Sequence, residues 1–311
     1  MSDLILHHYA NSPFAEKIRL VLGHKQLDWK SVFIPMIMPK PDLTALTGGY
    51  RKTPVLQIGA DIYCDTALIC DVLEHIAPSP SLYPEALKGT ARIVAQWADS
   101  TLFTVAMAYN FQPMGVAQVF AGASAEQVQA FVADRTAMRG GAARMSATDA
   151  AATYKSHLRR LASMLHGQDF LLGNRPCLAD FACYHPLWFT QERTPALAGI
   201  FDATPEVKGW MARMKAIGHA QSMPCSAAEA LQVANAATPL VLEGDVFQDE
   251  HGIPLGSQVH IAADNFGLEP TEGELIAATR TRYTLRRSDA RTGTVHVHFP
   301  RMGFTLKKAT T

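Results

Sequence analysis

The apolar positions change period several times along the chain. Leu4-Ile5-Leu6-His7-His8-Tyr9 reads as a first strand, with one of the two histidines pointing inward. Asn11-Ser12-Pro13 opens a helix: a small polar cap precedes a proline at the first helical position, where no backbone N–H is needed. Phe14, Ile18, Val21 and Leu22 recur at helical spacing and form its buried stripe, while Glu16, Lys17, Arg19 and Lys25 are expected to face outward or flank it. Trp29 to Ile34 alternates as a second strand, parallel to the first through that helix, and Pro35 ends it. Met36 to Lys52 carries Pro39, Pro41, Gly48 and Gly49 and is expected to be irregular. Thr53-Pro54-Val55-Leu56-Gln57-Ile58 is a third strand starting at a proline, tolerated as the first strand residue or in a cis turn. Gly59-Ala60-Asp61 is a hairpin turn and Ile62-Tyr63-Cys64 the return strand. Asp65-Thr66 caps the next helix, with Ile69, Val72, Leu73 and Ile76 as its core stripe.

After a proline-rich linker from Pro78 to Pro84 the period becomes helical throughout. Val94, Trp97, Ala98, Leu102 and Val105 define a long helix to about Asn110, which Pro113 is expected to end. Further helices are expected over Ala125–Met138, from Thr148 or Asp149 through Leu165, over Leu178–Phe189 and over Pro205–Gly218. In Cys177-Leu178-Ala179-Asp180, Asp180 can reach back to cap a helix start, a role in folding. Tyr109, Phe111, Tyr184 and Trp188 are either pocket walls or core aromatics.

Ala220 to Thr238 is rich in Ala and Ser, and the pattern from Leu240 onward is β-like. Short strands at Val259–Ile261, Leu275–Ala277, Tyr283–Leu285, Val295–Phe299 and Phe304–Leu306 alternate with turn signals, among them Asp249-Glu250-His251-Gly252. Their spacing argues for a small all-β barrel or sandwich. His296 and His298 share a strand face, but no carboxylate or cysteine partner is evident, so a polar face is expected and no metal site. Arg280, Arg282, Arg286 and Arg287 are offset by Glu243, Asp245, Glu269, Glu272 and Glu274, which suggests a surface salt network and not an RNA site.

Composition narrows the classes. At 311 residues the chain has room for two or three domains, with 48% apolar and 18% charged residues. Lys plus Arg equals Asp plus Glu at 28 each, so the balance gives no reason to expect nucleic acid or an anionic membrane as partner. Met1-Ser2-Asp3 runs directly into Leu4 without the basic flank of a signal peptide, and no apolar run reaches membrane-spanning length. Five cysteines (Cys64, Cys70, Cys177, Cys183 and Cys225) without a CxxC point to reduced thiols in a cytoplasmic protein.

The order strand, Ser12-Pro13-Phe14-Ala15-Glu16-Lys17-Ile18-Arg19, strand, Thr53-Pro54-Val55-Leu56, hairpin, Asp65-Thr66-Ala67-Leu68-Ile69 resembles the thioredoxin-fold domain of the glutathione S-transferase superfamily. The helix start is similar to the omega type, with serine where that class has cysteine. The resemblance covers residues 1 to about 220. It implies a thioredoxin-like, glutathione-binding domain over 1–80 and an all-helical domain over 86–220; with the small β appendage that the strand pattern gives over 238–311, which ordinary two-domain members lack, the chain reads as an α+β multidomain protein. The loop Gly48-Gly49-Tyr50-Arg51-Lys52-Thr53 departs from the family's Asn-Pro-containing loop, and serine in place of cysteine disfavours mixed-disulfide chemistry.

The chemistry of these positions suits glutathione. A helix start presents unpaired N–H groups and a positive dipole end, which favour an anion. A thiol of pKa ~8.5 brought there loses its proton more readily. The resemblance implies Ser12 at the sulfur, Thr53 with Pro54 at the cysteinyl backbone, and Asp65 with Thr66 at the γ-glutamyl end. Lys40, Lys52 and Arg51 are candidates for the glycyl carboxylate. The expected activity is transfer of the glutathione thiolate to a small apolar electrophile by a homodimer. The rival reading is a non-catalytic binding module that uses the β appendage as its contact surface. Taken singly, Ser12 and Asp65 are ordinary helix caps.

Overall fold

A computed structural model describes residues 3–242, 246–248 and 250–309; Glu243, Asp245 and Asp249, counted above, lie outside them. The chain begins with β1 (Leu4–His8), α1 (Pro13–His24), β2 (Trp29–Phe33), α2 (Pro41–Thr47), β3 (Val55–Ile58), β4 (Asp61–Cys64) and α3 (Thr66–Ile76). β1 pairs parallel with β2 and antiparallel with β3, and β3 pairs antiparallel with β4. This is the thioredoxin-like unit the pattern foretold, with one correction. The segment expected to be irregular contains the two-turn helix α2, which Pro41 opens and Gly48, at φ +74°, closes.

The helical part comprises α4 (Lys88–Trp97), α5 (Phe103–Asn110), α6 (Pro113–Val119), α7 (Ala125–Arg139), α8 (Ala147–Met164), α9 (Leu178–Trp188) and α10 (Pro205–Ala216). The long helix expected to reach Asn110 is interrupted by a π-turn over residues 98–102. That helix does end at Asn110 as expected, with Gln112 extended before Pro113, and the same proline opens the next helix, α6. Asp180 does cap: it accepts from Cys177 N at 2.9 Å, and also from Leu171 N at 2.8 Å and Trp210 Nε1 at 2.9 Å. Tyr184 is a core residue against Trp210, whereas Phe111 stacks among Phe120, Phe131 and Phe189.

The last third corrects the sequence reading most. Residues 220–238 are structured: β5 (Ser222–Pro224) pairs parallel with β2, and α11 (Ala227–Ala236) follows. Ser226 and Glu229 form a capping box at its start. Then come β6 (Gln258–Ala263), β7 (Thr271–Ala278), β8 (Arg282–Asp289), β9 (Gly293–Pro300) and β10 (Phe304–Lys308). They form neither a barrel nor a sandwich. β9 pairs parallel with β4, and one sheet of ten described strands runs β10-β6-β7-β8-β9-β4-β3-β1-β2-β5.

The reason is a shared core. Ile5, Val32, Val55 and Ile62 on one face of the first unit continue into Leu285, Val297 and Phe299 of the later strands, with Ala230 and Leu231 of α11 covering them. A separate sandwich would need a second apolar face. The opposite face of β8 and β9 is polar: Thr284, His296 and His298 lie there, and Arg286 pairs with Glu274 across the strands. A second core joins α1 and α3 to the helical part, through Ile18, Leu22, Leu68, Leu73, Leu102 and Phe181. All five cysteines are free thiols, and no helix among the described residues is long and apolar enough to cross a membrane.

Candidate functional site

Ser12 occupies the N-cap of α1 and is 2% exposed. Its N–H donates to Tyr9 O at 3.1 Å, and its Oγ accepts from Ala15 N at 3.2 Å. That bond takes a lone pair and leaves the hydroxyl proton available at the positive end of the helix. The cap observed is the ordinary structural one, and its geometry keeps a donor to spare.

Thr53 stands before Pro54, and the bond between them is cis. Lys40 reaches this turn: its ammonium donates to Arg51 O at 3.1 Å and to Thr53 Oγ1 at 3.4 Å, 6.0 Å from the centre of the Tyr9 ring. Lys40 is 3% exposed, and among the described residues no carboxylate lies within ion-pair reach of it. Burial, reinforced by Arg135 and Arg51, lowers its pKa to about 8. A buried ammonium touching only neutral oxygens is a natural seat for an anion. Arg51 is already engaged, bonded to Asp134 of α7 and to Glu269 at 2.7 Å. Lys52 sits between the Tyr50 and Phe304 rings, at 5.9 and 5.1 Å from their centres, and burial lowers its pKa against the pull of Asp65 and Asp264. The two candidates therefore divide. Lys40 belongs to the proline turn, and Lys52 is held between the first unit and the appended sheet.

Asp65 caps α3 with φ +74° and accepts from Ala67 N at 2.9 Å. This left-handed backbone is one that aspartate tolerates better than most side chains. The Tyr50 hydroxyl has its pKa pushed well up, first by burial and then by the charge of Asp65. Thr66, the first residue of α3, is 5% exposed and accepts from the Lys17 ammonium at 3.1 Å.

Lys17 was missed by the helical-face reading, along with its neighbours. Glu16, Lys17, Arg19 and Lys25 are all buried, because α1 lies between the sheet and the helical part and has no solvent face. Each finds a partner: Arg19 pairs with Glu16 at 2.6 Å, Lys25 with Glu74 at 2.6 Å and Lys17 with Asp99 at 2.6 Å. Both histidines of β1 are buried as well, His7 against Gln57 and His8 against Ser31, each at 2.8 Å.

His298, expected to lack a carboxylate, has one. Asp61 Oδ1 lies 2.9 Å from His298 Nε2, and Thr284 Oγ1 lies 3.0 Å from its Nδ1. Asp61 also accepts from Leu240 N at 2.9 Å, so this cluster sews β4 to β9. Among the described residues no group of side chains could hold a metal. A groove of about 690 Å³ lies beyond the cluster, lined by Leu68, Val72, Ile76, Tyr63 and His298; Ser12, Thr53 and Asp65 do not line it.

Comparison with known proteins agrees with this arrangement. Residues 6–81 match the model of the glutathione S-transferase N-terminal domain, and residues 144–217 that of the C-terminal domain. A solved GST-like protein from Pseudomonas syringae is 45% identical, with a TM-score of 0.83 over 99% of this chain and 100% of that one. That match spans the appended strands. FtsZ-localized protein A of Caulobacter vibrioides is 25% identical over 57% of this chain and 72% of its own. Pyrimidodiazepine synthase of Drosophila melanogaster is 33% identical over 23% of this chain and 31% of its own length.

Proposed function

The chain belongs to the glutathione S-transferase superfamily, and on that premise we propose that it binds glutathione, stabilises its thiolate and delivers it to a small apolar electrophile. The observation that carries the reading is the Ser12 hydroxyl, buried at a helix start and committed as acceptor to Ala15 N, which leaves its proton free to be donated. Thr53 before the cis proline offers backbone to the cysteinyl residue, as an added strand would. Lys40 receives the glycyl carboxylate, and Asp65 with Thr66 receives the γ-glutamyl end. In the transfer the glutathione thiol gives its proton to solvent, sulfur forms the new bond to carbon, and the electrophile's leaving group departs with its electron pair. Positioning and anion stabilisation supply the rate.

The same premise carries a cytoplasmic homodimer. With the outer edge of β4 taken by β9, its contact would use helix faces and not strand pairing at that edge. The test is a thermal shift with glutathione in excess, together with turnover of 1-chloro-2,4-dinitrobenzene. A shift and turnover support the enzyme, and the absence of both rejects it.

One observation favours the second reading, a binding module without turnover. Asp134 of α7 and Glu269 of the loop before β7 converge on Arg51, a position the glycyl end of the ligand could otherwise use. The similarity to a protein named for its localisation with FtsZ points the same way. Glutathione binding without turnover of any electrophile would select this reading.

A further inference from the structure

The groove of about 690 Å³ beside α3 takes no part in the proposed transfer. Six neighbouring strands each give it a residue: Arg282 of β8, His298 of β9, Tyr63 of β4, Ile58 of β3, Leu4 of β1 and Trp29 of β2. With strands about 4.8 Å apart, the five intervals make a trough roughly 24 Å long. Leu68, Val72 and Ile76, spaced four apart on one stripe of α3, line it lengthwise. Leu240 and Val241 line it too, an apolar pair left largely exposed. Polarity changes along the trough. It is apolar at β3 and β1, whereas Arg282 and His298 stand at β8 and β9, with Thr284 and Asp61 behind them. A ligand that matches both ends is a long apolar chain with one polar head.

Tyr63 marks where the head belongs. It is 4% exposed, and its ring stacks on His298 with centres 4.5 Å and planes 13° apart. Its hydroxyl makes no hydrogen bond among the described residues, although a buried phenol ordinarily does. His298 does not supply the missing bond, since its two nitrogens are taken by Thr284 and Asp61. Burial, then the charge of Asp61, raises the Tyr63 pKa against the pull of Arg282, so the hydroxyl keeps its proton and is a donor. A donor with a guanidinium charge acting on it suits a carboxylate. The acidic side chains nearby are committed elsewhere: Asp61 to His298 and Leu240 N, Asp71 to Tyr83 and Arg92, and Asp3 to Lys30 at 2.7 Å. Asp28 lies at the β2 end, away from the head.

We infer that this groove binds a long-chain aliphatic monocarboxylate, its carboxylate received by the Tyr63 hydroxyl at the seam of β4 and β9 and its chain lying along α3 toward Trp29. The site stands apart from the glutathione reading and shares none of Ser12, Thr53 and Asp65. Its polar end and the Leu240–Val241 pair come from the appended part, so the site exists only because that part is joined to β4.

The test is displacement of a fluorescent polyene fatty acid, cis-parinaric acid, from the full chain below micellar concentrations. In the parent, hexadecanoate competes better by about tenfold or more than hexadecanol, which lacks the charge, and than hexanoate, which lacks the reach. Tyr63→Phe keeps the ring on His298 and removes only the hydroxyl. It weakens hexadecanoate about tenfold, as expected for a hydrogen bond to a charged group, and hexadecanol less. Val241→Asp, at an exposed position, weakens both, and glutathione displaces neither. A parent that binds no cis-parinaric acid overturns the inference. So does parent-like affinity in Tyr63→Phe, equal binding of acid and alcohol, or displacement by glutathione. Sedimentation with phosphatidylglycerol vesicles by a chain that binds no free acid overturns it in favour of a membrane surface. A dimer that excludes the acid overturns it in favour of a second copy.

Discussion

Ser12 and Thr66 are bonded alike: each yields a lone pair to a donor of the protein and retains a proton. For Ser12 that proton matters most when the sulfur carries full charge. Ser12→Ala should slow conjugation on the order of a hundredfold, within the range for loss of one anion-stabilising donor, and leave affinity for S-methylglutathione nearly intact. Equal rates in variant and parent would remove Ser12 from the mechanism. Lys40 gives a pH dependence. Its pKa lies near 8, so the ammonium is charged below that value and neutral above it. S-methylglutathione, which has no thiol to titrate, should bind more weakly as pH rises through 8, and Lys40→Met should flatten the profile; a parent profile flat from pH 7 to 9 would exclude Lys40 as the carboxylate's partner. His7 and His24 titrate near 4 and His8 near 3 when folded, held down first by burial, against 6.5 ordinarily. Folded-state values below the unfolded one mean that stability is full above pH 6.5 and is lost as pH falls toward 4, at up to about 1.4 kcal/mol per pH unit for each histidine. Denaturant midpoints measured between pH 7 and 4 check this.

At the scale of elements, what was legible was local. Ser12-Pro13 and Asp65-Thr66 mark helix starts by the chemistry of their caps, and both stand where expected. Illegible was whatever depends on a neighbour distant in sequence. The alternation of Val295, Val297 and Phe299 says that one face of β9 is buried, but nothing in it says that β4 is the partner. Lys17 and Lys25 read as part of a solvated face because their partners Asp99 and Glu74 lie on other helices. Ser226-x-x-Glu229 was legible by the capping-box rule, and the Ala-rich composition around it obscured it. The seam between β4 and β9 gives its own prediction. Phe299→Ala should cost about 3–5 kcal/mol, as for other buried aromatics. Because Phe299 shares a core with Val32 of β2, fluorescence of Trp29 on the same strand, read with the other tryptophans replaced, should report the loss at the far end of the sheet. A variant that loosens the appended strands while the Trp29 transition stays put would show two independent cores.

As a whole molecule the chain divides by sequence into thioredoxin-like, helical and β parts, yet its two main cores do not follow that division. One joins the first unit to the helices and the other joins it to the appended sheet. Unfolding should therefore be a single cooperative transition. A chain ending at residue 237 should fail to give a folded monomer, since it would expose the edge of β4 and the apolar face that Val297 and Phe299 cover. Circular dichroism and gel filtration decide this, and a truncated chain with the parent melting temperature would make the appended strands dispensable. At the outer edge, β10 carries Lys307 and Lys308, charges of the kind that keep an open edge from recruiting further strands.

Asp61 and His298 are 237 positions apart, and that interval is also a delay. A ribosome adding about 5–20 residues per second needs on the order of tens of seconds to travel it. Throughout that time the nascent N-terminal half waits with its edge unprotected for a strand not yet translated. Premature termination anywhere in the interval therefore leaves no half-competent product, only a substrate for chaperones and proteases.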